Sequence, residues 1–150
     1  MWDKKSRFTA LVEAFSADLY RYAYWLAGDK HIAEDLVQET FTRAWRSLDG
    51  LRDERAAKAW LITTLRRKNA RRFARKPLEV TDIDVDTLEA SSDQENNPEA
   101  RALGRALANL SRDYRDPLLL QIIGDFSVVE TAKEMNLSSG AVTAGFFRAR

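Results

Sequence analysis

Ala33-Glu34-Asp35-Leu36-Val37-Gln38-Glu39-Thr40-Phe41, followed after one residue by Arg43-Ala44-Trp45, is the stretch on which the fold turns. Ile32, Leu36, Val37, Phe41, Ala44, Trp45 and Leu48 recur at helical spacing, which predicts an amphipathic helix running to about Leu48. Leu36, Phe41 and Trp45 are expected in a core. Asp35, Gln38, Glu39, Arg43 and Arg46 are left as exposed polar positions. Taken alone, such a polar face is the usual solvated surface of a helix.

Upstream, Phe8, Leu11, Val12, Phe15, Leu19, Tyr22, Ala23 and Leu26 give residues 8–26 the same one-sided pattern. Gly28-Asp29 punctuates the two helices, with Asp29 placed to cap the second. Downstream, Asp49 to Arg55 reads as a polar loop. A third helix is expected from about Ala56 to Ala74, with Ala57, Trp60, Leu61, Thr64, Leu65 and Phe73 facing inward. Three amphipathic helices on short loops can share one small core, which Pro77 closes.

Residues 77–97 have no helical periodicity and are rich in Asp, Ser and Asn, so they read as an inter-domain linker, with Ile83, Val85 and Leu88 as spaced apolar residues within it. A second module opens with Asn97 as N-cap and Pro98 at the first helical position. Its stripe is Leu103, Ala106, Leu107 and Leu110. Another helix falls within Arg112 to Ile123. Pro117 means either that it begins at Asp116-Pro117 or that the proline lies in its first turns. Gly124 ends it. Ser127-Val128-Val129-Glu130 is a capping-box pattern, and Val128, Thr131, Ala132 and Met135 form a short apolar face behind it. Asn136-Leu137-Ser138 forms a turn, and Ser138 or Ser139 caps a last helix through Val142 and Phe146. Two short helices with small Ala132 between them fit a helix-turn-helix, although any small helical hairpin could imitate the pattern. The fold class is therefore all-α, with domains at 1–76 and 98–150 joined by a flexible acidic linker.

The net charge of +1 over 150 residues conceals a segregated chain. Arg66, Arg67, Lys68, Arg71, Arg72, Arg75 and Lys76 stand together with no acidic residue among them, which reads as a polyanion-binding surface. Glu79, Asp82, Asp84, Asp86, Glu89, Asp93, Glu95 and Glu99 follow with no basic residue among them, as in a solvated linker. There is no cysteine and a single histidine, His31, so disulfides, thiolate metal sites and a catalytic triad lack raw material. No P-loop, nucleophile elbow or metal-ligand cluster occurs, and no cofactor is called for. No apolar run is long enough for a bilayer, and no signal-peptide core follows the N-terminus, so a cytoplasmic protein is expected.

The 33–45 string closely resembles region 2 of bacterial sigma-70 family sigma factors, in their extracytoplasmic-function group. Ala59-Trp60-Leu61-Ile62-Thr63 and the basic tail Arg66 to Lys76 are similar to the later part of that region. Leu110 to Leu120, with Tyr114-Arg115, resembles the start of region 4, and Phe126 to Arg150 its helix-turn-helix. The resemblance spans nearly the whole chain except the linker. It implies an alternative sigma factor, not an enzyme, that binds core RNA polymerase through the largest-subunit clamp and the flap. Asp35, Gln38, Glu39, Arg43 and Arg46 would meet the clamp. It also implies promoter DNA as ligand. Asp49, Arg52, Asp53 and Lys58, with Arg66, Arg67, Lys68 and Arg71, would contact the −10 element, where the loop captures an unstacked base. Ser138, Ser139, Thr143, Phe147, Arg148 and Arg150 would contact the −35 element. An anti-sigma factor is the further partner implied, one that could hold the chain at the inner membrane face. No small-molecule substrate is implied.

The sequence departs from the family at Thr143-Ala144-Gly145, where relatives carry basic and polar residues. Glycine within a helix costs about 1 kcal/mol relative to alanine, so weak or unusual −35 reading is expected. The chain stops at Arg150 inside a helix that the motif would continue, so a truncated C-terminus is expected as well. Two other readings stay open. One is a stand-alone helix-turn-helix regulator, which would have no reason to carry the region 2-like string. The other is a sigma-like interaction protein with weakened DNA reading.

Overall fold

In the computed structural model, residues 3–51, 53–75, 98–136 and 140 are described, without the side chains of 73–75. All regular structure among them is helical. The chain divides into two compact units, Met1–Ile83 and Asp84–Arg150.

The first unit is a three-helix bundle of α1 (Lys4–Ala27), α2 (Lys30–Arg46) and α3 (Glu54–Arg75), each packed on the other two. Asp3 caps α1 by accepting the Ser6 N–H at 2.7 Å, and that backbone hydrogen bond holds its carboxyl below the usual range. Gly28 ends α1 in the left-handed region at φ 69°, donating its N–H to the Tyr24 carbonyl. Asp29 then caps α2 through the Ile32 N–H at 3.0 Å, as the sequence predicts. One junction of two residues thus turns the chain back on itself.

The core is made by Leu19, Tyr22, Leu36, Leu61, Ile62 and Leu65, with Ala23, Ala33, Ala44 and Ala57 where the helices approach closely. Burying a leucine of this kind stabilises by roughly 1.5–3 kcal/mol. Thr40 is also fully buried, and its hydroxyl donates to the Leu36 carbonyl at 2.7 Å, which satisfies it inside the bundle.

Trp45 departs from the expectation of a core residue, being 39% exposed. On a wheel of 100° per residue it lies roughly 100° from the centre of the buried stripe. Phe8 meets its ring edge-on at 5.2 Å and the Lys4 ammonium lies 4.3 Å from its centroid, so it is a rim residue covered from α1.

The expected third helix begins two residues earlier, at Glu54, and α2 stops at Arg46. Leu48–Gly50 forms a 3-10 turn between them. Ile62 and Asn69 are buried although the apolar pattern pointed elsewhere, while Trp60 and Thr64 are half-buried. Phe73, expected inward, lies outside the described side chains.

The second unit contains α4 (Pro98–Ala108), α5 (Arg112–Ile122) and α6 (Val128–Met135). Pro98 opens α4 as expected, whereas Asn97 lies outside the described residues. Of the α4 stripe, Leu107 is buried, Leu110 half-buried, and Leu103 and Ala106 exposed. The two alternatives for Pro117 resolve in favour of a proline within the early turns, because α5 starts at Arg112. Leu119 and Leu120 are fully buried, and α5 packs on α6. Arg115 is buried with them, and that burial pushes its guanidinium pKa down.

Gly124 follows the end of α5, where a Cβ would come within 2.6 Å of the Leu120 carbonyl oxygen. The capping box is formed in full. The Ser127 hydroxyl accepts the Glu130 N–H, and the Glu130 carboxylate accepts the Ser127 N–H, each at 3.1 Å. Thr131 and Ala132 form the buried part of the α6 face, and Asn136 ends it at φ 56°.

Candidate nucleic-acid and protein interface

The polar face of α2 is positioned by its apolar one. With Leu36, Thr40 and Ala44 turned into the bundle, helical geometry sends Asp35, Gln38, Glu39, Arg43 and Arg46 to the opposite side. All five are exposed. They line one shallow groove together with Thr42, Ser47 and Lys68, the last of these contributed by α3. The Lys68 ammonium stands 4.0 Å from the Glu39 carboxylate across that groove. The groove therefore mixes both signs of charge, with acidic residues early along α2 and Arg43 and Arg46 near its C-terminus, where cations also suit the helix dipole.

Thr42 and Ser47 were not singled out from sequence. Small hydroxyls on a polar face carry no signal until the groove is seen.

The loop after α2 is short and anchored. Leu48 is buried, and the Leu51 N–H donates to its carbonyl at 3.0 Å. Asp53 starts α3: its carboxylate accepts the Arg55 N–H at 3.1 Å and its carbonyl accepts the Ala57 N–H at 2.8 Å. Asp49 is exposed, near Arg7 of α1. Arg52 lies outside the described residues. Lys58 is mostly covered, and its ammonium lies 3.0 Å from the Asp18 carboxylate, which also pairs with Arg21.

Along α3 the cations divide by helix face. Arg67 and Arg71, one turn apart, are exposed, while Arg66, Lys68 and Arg72 are half-buried. Arg72 donates to the side chain of buried Asn69 at 3.1 Å, which fixes this end of the helix. Basic residues thus continue from the groove to the outer face of the same helix, an arrangement that can follow a phosphate backbone.

The residues expected at a −35 element, Ser138, Ser139, Thr143, Phe147, Arg148 and Arg150, lie outside the described residues, as do Thr143-Ala144-Gly145 and the acidic linker. Among the described residues no cluster of side chains could hold a metal ion, and no helix is long and apolar enough to cross a membrane.

Comparison with known proteins gives a consistent result. Residues 11–78 match the family described as sigma-70 region 2, and residues 100–150 match sigma-70, region 4. The chain is similar to the ECF RNA polymerase sigma factor BldN of Streptomyces coelicolor, at 33% identity over 95% of this chain and 57% of that protein. It is similar to SigL of Mycobacterium tuberculosis at 35% identity, over 89% of this chain and 78% of the relative. SigM of Bacillus subtilis is 28% identical over 93% of this chain and 88% of its own length. The chain thus spans little more than half the length of the first of these relatives and over three quarters of the other two.

Proposed function

The chain belongs to the extracytoplasmic-function RNA polymerase sigma factors, a DNA-binding family of transcription initiation, and on that premise we propose how its parts divide the work. Residues 1–76 bind core RNA polymerase and the −10 element, 77–97 serve as a linker, and 98–150 carry the −35 reading helix-turn-helix. The observation that supports this most is the groove. Five polar residues picked out on one helix, Asp35, Gln38, Glu39, Arg43 and Arg46, line a single depression opposite the buried stripe. A helical partner such as the clamp coiled coil could lay its own charged residues into it.

The −10 strand would follow the loop and α3. Asp49, Arg52 and Asp53 offer polar groups to an unstacked base, and Arg66, Arg67, Lys68 and Arg71 its phosphates. Lys58 joins them only by leaving Asp18. Ser138, Ser139, Thr143, Phe147, Arg148 and Arg150 would meet −35 DNA and the flap, with weak base dependence because of Thr143-Ala144-Gly145. An anti-sigma factor would occlude the polymerase-binding surfaces and could hold the chain at the inner face of the membrane from the cytoplasm. A stand-alone helix-turn-helix regulator leaves the match over 11–78 unexplained.

The test is reconstitution. The full chain is added to core polymerase, bound promoters are selected from a random pool, and transcripts are measured. Start sites that depend on the chain, with a shared −10 sequence and little −35 dependence, are expected. Failure to bind core or to direct initiation at any selected promoter would overturn the assignment.

A further inference from the structure

We propose that Arg7 is a positioning residue for promoter reading. From the first turn of α1 it fixes the Leu48–Gly50 turn, and so sets where the following loop presents its polar groups to the −10 strand. The proposal rests on the reading above, in which that loop faces the −10 element.

One guanidinium holds two consecutive residues that lie far from it in sequence. Arg7 Nη2 donates to the Leu48 carbonyl at 3.1 Å, and Arg7 Nη1 stands 3.8 Å from Asp49 Oδ1. The planar fork of arginine can serve a backbone carbonyl and a carboxylate at once, which the single ammonium of lysine cannot do in the same geometry. The Leu48 carbonyl also accepts the Leu51 N–H, so both of its lone pairs are used.

The turn needs this support. No heavy atom lies within 4 Å of where a Cβ on Gly50 would sit, so no side-chain packing holds that residue, whose N–H donates to the Ser47 carbonyl at 3.1 Å. Besides the burial of Leu48 and the turn's own backbone hydrogen bonds, side chains hold the loop at its two ends: Arg7 at the entry and the Asp53 cap at the exit. Releasing the entry leaves a glycine turn free to re-orient, and a base pocket displaced by about 1 Å loses much of its discrimination.

Charge points the same way. The Asp49 side chain is 92% exposed and would face phosphates, which repel it. Arg7, at 31% exposure, offsets that carboxylate.

The experiment compares wild type, Arg7→Ala and Arg7→Lys as full chains in holoenzyme, with Arg52→Ala as a loop control. Each is assayed on a selected promoter and on derivatives changed at single −10 positions. Core affinity and thermal midpoint are measured on the same preparations. Alanine is the best helix former and Arg7 is half-buried at the rim of the bundle, not in its core, so the fold should persist.

We expect Arg7→Ala to lower the ratio of matched to mismatched −10 activity by about five- to tenfold with core affinity unchanged, and Arg7→Lys to restore little of it. The inference is overturned if Arg52→Ala lowers discrimination and Arg7→Ala leaves it within twofold of wild type. It is equally overturned if Arg7→Ala weakens every promoter alike, or if Arg7→Lys behaves as wild type, since either result assigns Arg7 to stability or bulk charge. If no −10 position affects the wild-type holoenzyme, the reading of the loop itself fails and the role of Arg7 falls with it.

Discussion

The Lys58 ammonium on α3 lies 3.0 Å from the Asp18 carboxylate on α1, with only 13% of the lysine side chain exposed. A cation that sequence alone would send to DNA is therefore also a strut between two helices. The same carboxylate pairs with Arg21, so Asp18 gathers two cations at the start of the α1–α3 contact.

Removing Asp18 takes the carboxylate from a mostly covered lysine, and removing Lys58 leaves Asp18 with Arg21. Lys58→Ala and Asp18→Ala should each destabilise the first unit by about 1–2 kcal/mol, less than a fully buried pair because both groups reach water. The double variant should cost less than the sum, as a urea-denaturation cycle would show. Additive costs would mean that the two residues act independently.

Gly124→Ala should destabilise the second unit by about 1–3 kcal/mol, because the new Cβ would press to within 2.6 Å of a backbone oxygen that cannot swing away. Near-ultraviolet circular dichroism and hydrogen exchange should place the loss in α5 and α6. An unchanged unfolding midpoint would show that the junction relaxes freely.

Much of this architecture was legible because it is written in local signals. Asp29, Gly28 and the Ser127–Glu130 pair are short-range devices whose partners lie three or four residues away, so the sequence contains both halves of each. The polar face of α2 was legible for a related reason: it is what remains when a strict helical stripe is buried. The misplacement of Trp45 has the opposite origin. Its exposure depends on where α1 happens to lay Phe8 and Lys4, a tertiary fact. Burial of Asn69 and of Thr40 was hidden because each satisfies its polar group after folding, by accepting from Arg72 or donating to Leu36. The long-range grip of Arg7 on Leu48 spans 41 positions and leaves no pattern in sequence.

Arg67 and Arg71 share the exposed face of α3, so they should act as phosphate contacts and not as base readers. Replacing each by alanine should reduce the slope of log affinity against log salt by about 0.9 on duplex DNA, with similar effect on unrelated sequences. A salt series on holoenzyme bound to promoter and non-promoter fragments provides the check. An unchanged slope, or a loss confined to one sequence, would remove them from the backbone-binding surface.

The groove on α2 is the proposed seat of core polymerase binding. The direct measurement is the affinity of core RNA polymerase for wild type and for Asp35→Arg and Glu39→Arg, two exposed substitutions that leave the buried stripe untouched. Each should lose at least about tenfold in core binding, from charge reversal in a desolvated contact, with helicity unchanged. Holoenzyme that assembles as tightly with both variants as with wild type would contradict that placement.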